Sequence, residues 1–334
     1  MSGVGWNEIS DEERERIKRD FPVSLLNDLI RYENGFVMPR YFAEKLEEKI
    51  YNFDLRDDDV WIVTYPKCGT TWTQELVWML INDVDIDKGK VPLSVRSPCI
   101  EVQCLRRFDF FKSIGAAPSD PRVIEVETDS IGFLNNMEAR RVIKTHLPFE
   151  FLPPKLFEKC KVVYVARNPK DVAVSFYHHN LNVPGHGFVG TFDQFLKYFE
   201  QGLHVFGSYW HHILSGWQHR NHPNVKFLWY EDMKADLKSV IDDLCNFLKH
   251  SLNEEQRNSL FHHVQFENMK KNPFANPGAA KKDLPPEKNF MRKGQVGDWK
   301  NYFDKEKTEK WEKWTFENIR GTGLEEKEYL TQNM

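Results

Sequence analysis

Residues 60–82, VWIVTYPKCGTTWTQELVWMLIN, restrict the fold of this chain more than any other stretch. The first six are apolar, aromatic or β-branched, a turn with a single glycine follows, and apolar residues then recur at helical spacing from Thr70 to Asn82. This order predicts a buried strand, a tight turn and a helix. The N–H groups of such a turn and of the helix N-terminus point toward one spot, so the segment predicts a P-loop-like site for an oxyanion.

Three further runs have strand character, at 141–145, 161–166 and 225–230, and helical patterns cover 169–179 and 235–250. Buried strands that alternate with helices are typical of an α/β fold, in which helices flank both faces of a central parallel sheet. The 334 residues suffice for a single large domain of this class. Ligands of such sheets bind beyond the carboxyl ends of the strands, where the predicted turn lies.

The turn carries the groups that an anion site needs. Gly69 lets the backbone approach a ligand closely, Lys67 adds a full positive charge, and the hydroxyls of Thr70 and Thr71 add donors. The ATP-binding pattern GxxxxGK followed by Ser or Thr places its lysine after the second glycine, and this chain does not contain it. A phosphate or sulfate site is therefore favoured over an ATP site, with an ordinary strand–helix turn as the alternative.

Three other patterns are weaker evidence for a functional site than the turn at 65–69. Cys68 at a helix N-terminus is placed like an acidified nucleophile, but a cysteine phosphatase has an arginine six residues later, where this chain has Gln74. GHGFVG at 185–190 matches a dinucleotide-binding pattern without the preceding strand that gives the pattern meaning, so a surface loop is favoured. The histidine pairs at 178–179, 211–212 and 262–263 lack partners at zinc spacing, so no metal site is predicted.

Two more basic segments follow later in the chain. FMRKGQVGDWKNYF at 290–303 combines Arg292 and Lys293 with glycines and is either a phosphate clamp or a solvated basic turn. Arg167 follows the strand at 161–166 and Ser175 lies on the next helix, with a structural ion pair as the alternative role for the arginine. Together with the first turn these are three candidate anion sites, which indicates a ligand with more than one anionic group, such as a nucleotide.

The segment KTHLP at 144–148 ends another strand and adds a candidate for proton transfer. A histidine such as His146 titrates near neutral pH, and Lys144, two residues earlier, points to the same face of the strand. A purely structural histidine is the alternative.

Four of these segments resemble, in their order along the chain, the signature motifs of the cytosolic sulfotransferase family: YPKCGTTW, KTHLP, ARNPKDVAVSFY and RKGQVGDWK. The resemblance extends over about residues 40–320. The resemblance implies a sulfotransferase domain at 40–334, with residues 1–39 packing on it. It implies an enzyme that moves the sulfuryl group of 3′-phosphoadenosine-5′-phosphosulfate (PAPS) to a hydroxyl or amine of a small, largely apolar acceptor, such as a phenol, steroid or other alcohol. The nucleotide product is then 3′,5′-ADP (PAP), and no metal is needed.

The resemblance also implies roles for individual residues. His146 matches the base that takes the acceptor proton, and Lys67 and Lys144 match residues that stabilise charge on the transferring group. Arg167 and Ser175 match residues that hold the 3′-phosphate. The full set implied to bind the donor is Lys67, Cys68, Gly69, Thr70, Thr71, Trp72, Arg167, Ser175, Trp210, Phe266, Met291, Arg292, Lys293 and Gly294.

Near the adenine, the chain both matches the family and departs from it. Trp72 and Phe266 match aromatic residues that pack against the base. Trp210 stands where the family has an adenine-contacting tyrosine, and Val264 stands in place of a threonine. Cys68 replaces a serine of the loop, which raises the question of whether the site is sensitive to oxidation.

Two further departures concern assembly and substrate. Asp304 and Lys305 replace the Thr-Val pair at the apolar centre of the usual dimer motif, which leaves a homodimer open. The segment at 97–140 is longer than usual and is expected to cover the acceptor pocket. Two alternatives therefore stay open: a retinol-dehydratase-like enzyme that dehydrates an alcohol through transient sulfation, and a catalytically silent nucleotide or hydrophobic-ligand binding protein.

Composition argues against several partners. A net charge of −4 does not favour nucleic acid, and the chain has no apolar run of the ~18–20 residues that a membrane span needs. Residues 1–21 are charged and lack the apolar stretch of a signal peptide, and the five cysteines form no CxxC pair. These features favour a cytoplasmic protein with reduced thiols.

Overall fold

Two sheets form the frame of the computed structural model, which describes residues 2–22, 28–183, 185–276, 279 and 289–331. Strands β1 to β3 form an antiparallel sheet at Trp6–Glu8, Leu29–Tyr32 and Val37–Pro39. Strands β4 to β7 form a parallel sheet at Val60–Thr64, Val142–Thr145, Lys161–Ala166 and Val225–Trp229. The spatial order of the parallel sheet is β5-β4-β6-β7, so the strands that precede the turn and Arg167 lie side by side at its centre.

Helices connect these strands and cover the parallel sheet. The α-helices are α1 Asp11–Asp20, α2 Glu47–Tyr51, α3 Thr70–Ile81, α4 Leu93–Arg96, α5 Val102–Leu105, α6 Phe108–Ser113, α7 Pro121–Thr128, α8 Ser130–Asn136, α9 Leu156–Lys159, α10 Pro169–Asn182, α11 Phe192–Glu200, α12 Tyr209–Gln218, α13 Tyr230–Ala235, α14 Leu237–Leu248, α15 Glu254–His263, α16 Phe266–Lys271, α17 Lys305–Ile319 and α18 Glu328–Thr331. A π-helix lies at Phe42–Leu46, and 3₁₀ helices lie at Phe149–Phe151, Asp298–Asn301 and Leu324–Glu326.

The parallel strands are buried on both faces. Successive side chains of β4 alternate, so that Val60 and Ile62 pack in one core with α3 and α14, whereas Trp61 and Val63 pack in the other with α10 and α12. Burial on both sides explains why the strand is a continuous apolar run rather than an alternating one. The predicted α/β domain with a central parallel sheet flanked by helices is confirmed.

The antiparallel sheet belongs to the larger of these cores. Tyr32 on β2 is buried there, and its hydroxyl donates to Glu47 Oε2 at 2.7 Å. The rings of Phe36 and Phe151 lie 4.8 Å apart in the same core. Residues near the start of the chain thus pack against later segments, while the proposed division at residue 39 stays a prediction.

The charges at 304–305 have a local structural explanation. Asp304 is the N-cap of α17, and its carboxylate accepts the backbone N–H of Lys307 at 2.8 Å. Lys305 is highly exposed and lies 3.8 Å from Glu309, one helical turn later. An N-cap aspartate stabilises a helix by about 1 kcal/mol. Asp304 and Lys305 therefore stabilise the start of α17, whether or not the chain forms a homodimer.

Buried ion pairs lie near the start of the segment 93–136, which contains α4 to α8, and shortly after its end. Arg96 reaches Glu75 on α3 at 2.7 Å, and Glu75 also accepts from His263 at 2.7 Å. Beyond the other end, Arg141 pairs with Asp59 at 2.5 Å, directly before β5 and β4. We call residues 93–136 the covering segment, after the expectation that residues 97–140 cover the acceptor pocket, which stays a prediction.

Candidate active site

The turn at 65–69 joins β4 directly to α3. The N–H of Cys68 donates to the carbonyl of Tyr65 at 3.3 Å, and Lys67 and Gly69 have positive φ angles of 70° and 98°. A Cβ atom on Gly69 would lie 2.8 Å from Cδ2 of Tyr230. The positive φ and this close ring together require glycine at position 69.

The N-terminus of α3 leaves backbone donors open. Its N-cap is Gly69, which has no side chain that can accept from the N–H groups of the first helical turn. The 12-residue helix also directs the positive end of its dipole to this point. An anion is the ordinary partner of such a helix N-terminus.

His146 follows β5 and lies beside this turn. Its Nδ1 is 2.7 Å from the carbonyl oxygen of Thr64, at the end of β4. A carbonyl oxygen can only accept, so Nδ1 carries the proton and Nε2 keeps its lone pair. Burial and the neighbouring Lys144 ammonium hold the pKa of His146 well below its usual range. The imidazole is therefore neutral at pH 7, and Nε2 is the nitrogen that can accept a proton.

Positive charge accumulates around Lys67. Burial, followed by the charges of Lys144, Arg167 and Arg292, lowers the pKa of Lys67 to about 7. The hydrogen-bond neighbour of its Nζ is Nδ1 of His179, at 3.4 Å, which carries no negative charge. Cations that repel one another favour a ligand with several anionic groups, because such a ligand neutralises their mutual repulsion.

Arg167 links the turn to the second basic segment. Its guanidinium donates to the carbonyl oxygens of Lys67 at 3.1 Å and of Gln295 at 2.9 Å. It also lies 4.3 Å from the centroid of the Tyr230 ring. The carboxylate of Asp171 is 4.0 Å away, at the outer limit of an ion pair. This long ion pair leaves the positive charge of Arg167 only partly neutralised, so the guanidinium can also interact with an anionic ligand.

The second basic segment folds around Asp298. Arg292 and Lys293 reach its carboxylate at 2.5 and 2.6 Å. Burial opposes ionisation of this carboxyl, but the hydrogen bonds from Lys293 and Arg292 lower the pKa of Asp298 to about 2. A Cβ atom on Gly294, which has a φ of 61°, would lie 2.1 Å from the ring of Phe266. The predicted cluster of Arg292, Lys293 and Gly294 is therefore a fixed turn against an aromatic ring.

Aromatic rings gather on one side of the start of α3. The Nε1 of Trp72 donates to the carbonyl of Val264 at 2.8 Å, and its ring meets Tyr230 edge-on at 5.6 Å. Nζ of Lys234 lies 5.6 Å from the Trp72 ring centroid and 6.0 Å from that of Phe266. The structure thus brings the predicted pair Trp72 and Phe266 to the same place.

A family model of the sulfotransferase domain matches residues 57–323. The chain belongs to the sulfotransferase family. Luciferin sulfotransferase of Photinus pyralis is 39% identical over 329 residues, which cover 95% of this chain and 86% of that protein. Sulfotransferase 1E1 of Homo sapiens is 37% identical over 283 residues, which cover 84% of this chain and 90% of that protein.

Solved structures lead to the same family. Retinol dehydratase in complex with androsterone and the inactive cofactor PAP has a TM-score of 0.84 at 29% identity, over 96% of this chain and 97% of that one. A mouse sulfotransferase complexed with PAP has a TM-score of 0.65 at 29% identity, over 90% and 96%. The family and the enzyme class predicted from the four sequence motifs are confirmed.

Trp210 does not lie where the resemblance to a sulfotransferase placed it. Its side chain is buried, and its ring packs 4.8 Å from Tyr209 and 5.6 Å from Trp314, in a different core from the one that Trp72 contacts. The reason is the start of α12, where Tyr209 instead reaches the donor side and donates to the carbonyl of Arg167 at 2.5 Å. The expected contact of Trp210 with adenine is corrected: Tyr230 is the ring next to Trp72.

The remaining residues of the expected donor set lie close by. The buried hydroxyl of Thr70 is 2.6 Å from that of Thr64, so these two hydroxyls satisfy each other. Thr71 and Ser175 are half-buried in the first turn of α3 and on α10. Met291 packs in a small cluster with Trp72. Thr71 and Ser175 are thus the hydroxyls of this set that keep some exposure.

Cys68 is fully buried, and burial raises the pKa of its thiol. A thiol in this environment is neutral and shielded from oxidants in bulk water. The position therefore contributes its backbone to the turn, in line with a side chain that takes no part in chemistry.

Three residues near the site carry no motif signal. Tyr230 directly follows β7, so the rule that ligands bind at strand ends points to it. Glu101, in the covering segment, accepts the backbone N–H of His146 at 2.7 Å. His179 contacts Lys67. For the last two, the chain shows no pattern, because they approach the site through the packing of distant elements.

The covering segment packs on the loop that follows α10. A Cβ atom on Gly185 would lie 2.8 Å from Cζ of Phe111, so the Phe111 ring lies directly on this loop. Arg106 stacks 4.3 Å from the Phe111 ring centroid and pairs with Glu127 at 2.5 Å. These contacts join α5, α6 and α7 to residues 185–190, near His179.

The described ranges of this sulfotransferase contain neither a metal-binding cluster nor a membrane-spanning helix. No group of three or more His, Cys, Asp or Glu side chains there is arranged to hold a metal ion. No helix in the same ranges is long and apolar enough to cross a membrane.

Proposed function

We propose that this chain transfers the sulfuryl group of PAPS to a hydroxyl or amine of a small, largely apolar acceptor, with His146 as the base. The observation that carries the proposal is a cluster of cationic side chains around Lys67, beside a neutral histidine whose Nε2 keeps its lone pair. The clustered cations are not explained by folding alone, since like charges held close together destabilise the chain that contains them.

The donor fits this place because its two anionic ends match two groups of donors. Lys67 and the N-terminus of α3 would hold the 5′-phosphosulfate, which supplies the activated sulfuryl group. Arg167 is buried, donates to the carbonyl oxygen of Lys67, and would hold the 3′-phosphate. The residues proposed to bind the rest of the donor are Cys68, Gly69, Thr70, Thr71, Trp72, Ser175, Phe266, Met291, Arg292, Lys293 and Gly294.

His146 would take the acceptor proton on Nε2 while the new bond between sulfur and the acceptor oxygen forms and the bond to the 5′-phosphate oxygen breaks. The hydrogen bond from Nδ1 to Thr64 holds the ring in the required tautomer. A well-placed base of this kind accelerates a reaction by about 10²–10⁴-fold. The contact of Glu101 with the His146 backbone supports the position of the ring.

Lys67 and Lys144 would stabilise the charge that develops on the transferring group and on the leaving oxygen. Both are half-buried, and charges in a partly desolvated site have more effect than in water. Lys144 is on β5, two residues before His146, so one strand end supplies both a cation and the base.

The similarity to retinol dehydratase favours a second candidate. In that enzyme's solved structures the ligands include retinol and androsterone together with PAP, at a TM-score of 0.84 to this chain. The same site would then sulfate an alcohol transiently and release an alkene and sulfate. A silent nucleotide or hydrophobic-ligand binding protein is disfavoured, because a base such as His146 serves no purpose in binding alone.

An acceptor screen with sulfur-35-labelled PAPS, followed by mass spectrometry of the products, separates these functions. We suggest luciferin, androsterone and retinol as first acceptors, from the names of the relative and the neighbour. A labelled ester supports sulfotransfer, and an alkene with labelled free sulfate supports dehydration. PAP binding without either product would contradict both and leave the silent binding protein.

Two further expectations stay predictions. Whether the chain forms a homodimer is open, and sedimentation of the purified protein would decide it. A cytoplasmic location would be tested by fractionating cells that express the chain.

A further inference from the structure

His179 is a polar group at the site that the proposed reaction does not use. It lies near the end of α10, is half-buried, and places Nδ1 3.4 Å from Nζ of Lys67. The preceding residue, His178, turns away and places Nε2 2.8 Å from the hydroxyl of Tyr302. Only the second member of this histidine pair therefore faces the place of transfer.

The contact with Lys67 fixes the tautomer of His179. With an anionic donor bound, Lys67 is protonated and can only donate, so Nδ1 of His179 is the acceptor and Nε2 carries the proton. Burial and the charge of Lys67 hold the pKa of His179 well below its usual range, so the ring stays neutral. His179 and His146 thus present opposite groups: an N–H on one ring and a lone pair on the other.

The surroundings of His179 are otherwise aromatic. Its ring contacts Phe290 at 5.9 Å, Phe176 at 6.1 Å and the ring of His186 at 4.8 Å. His186 is itself engaged, because its Nδ1 lies 3.0 Å from the side-chain oxygen of Asn180. The Nε2–H group is consequently a directional donor beside these rings.

We infer that His179 is a specificity-determining residue, whose Nε2–H donates to a hydrogen-bond-accepting group that the acceptor carries in addition to its reacting hydroxyl. The inference rests on the proposed function, which puts the acceptor beside Lys67. A purely apolar acceptor would cover this donor without pairing it, and an unpaired buried donor is costly. Acceptors with a ring nitrogen, carbonyl or carboxylate at the right distance are therefore preferred over hydrocarbons of the same shape.

Acceptors of one shape test this directly: 2-naphthol against its nitrogen analogues 6-hydroxyquinoline and 7-hydroxyquinoline. The quantity to measure is the ratio of kcat/KM for each quinoline to that for the naphthol, with labelled PAPS. Comparing this ratio between variants cancels the intrinsic reactivity of the phenols. We expect wild type to prefer at least one quinoline and His179→Phe to lower that preference about fivefold, as for one lost neutral hydrogen bond.

Two further variants separate recognition from packing. His178→Phe makes the same change one residue earlier on the helix, away from Lys67, and is expected to leave the ratio unchanged. His179→Gln keeps an N–H donor and is expected to restore part of the preference. A wild-type ratio in His179→Phe, or an equal loss in His178→Phe, overturns the inference. Absence of transfer to every phenol by wild type would instead contradict the proposed function.

Discussion

The two sides of the site differ in how they are built. The donor side, residues 65–72, 167–175 and 289–294, is held largely by backbone contacts: Arg167 binds two carbonyl oxygens, and Gly69 and Gly294 pack directly under rings. The proposed acceptor side, where the covering segment meets the loop at Gly185, is held by side chains such as Phe111. Backbone-built sites require short fixed motifs, whereas side-chain packing allows many sequences. Substitutions on the donor side should therefore change the affinity for the donor and the rate of transfer. Substitutions on the acceptor side should change only KM for the acceptor.

The sharpest test of this comparison is His146→Ala, which has the largest expected effect. Removal of the base should lower kcat by about 10²–10⁴-fold. The affinity for PAP, measured by calorimetry, should stay within a few-fold of wild type, because the proposed role of His146 is toward the acceptor rather than the phosphates. His250→Ala is a matched control, since His250 pairs with Asp83 on the surface. Wild-type turnover in His146→Ala would refute the assignment of the base.

Arg167→Ala should separate the two phosphates of the donor. We expect the affinity for PAP to fall about 10- to 100-fold, the range for one lost charge-assisted hydrogen bond. The affinity for 5′-AMP, which lacks the 3′-phosphate, should fall much less. Arg122→Ala, which removes an exposed arginine that pairs with Asp120, is the control. Equal losses for both nucleotides would mean that Arg167 acts through the turn it supports and not on the 3′-phosphate.

The pH dependence of PAP binding should report the charge of Lys67. Its pKa is about 7 in the free protein, and a bound anion raises it, so binding takes up a proton. The affinity is then full below pH 7 and falls by up to about tenfold per pH unit as pH rises above 7. His146 and His179 stay neutral over this range and do not add to the slope.

Lys67→Met is the matched variant for this pH experiment. It should bind PAP more weakly at pH 7 and show a flat affinity between pH 7 and 8.5. A slope that survives in Lys67→Met would assign the titration to another group. Calorimetry in two buffers of different ionisation enthalpy would count the proton taken up.

The sequence predicts most of the strands and helices that form the proposed donor side, because these elements are local. The strand at 225–230 is observed at Val225–Trp229, and the helix at 169–179 extends to Asn182. The sequence does not predict the contacts between elements that are distant along the chain. Lys67 and His179 are 112 positions apart, and no periodicity states which face of α10 meets the turn. The expected position of Trp210 is wrong for the same reason: on α12, Trp210 packs in the core, whereas its neighbour Tyr209 contacts Arg167.

The smallest expected effect is on the acceptor side. Phe111→Ala removes the ring that packs on Gly185 and leaves Arg106 without its stacking partner, so the covering segment loosens near residues 185–190. We expect KM for the acceptor to rise several-fold while the affinity for PAP is unchanged. Phe316→Ala, on the exposed side of α17, removes a ring of equal size away from the site and should change neither. A loss of PAP affinity in Phe111→Ala would show that the two sides are mechanically joined, and the proposed division between backbone-built donor side and side-chain-built acceptor side would fail.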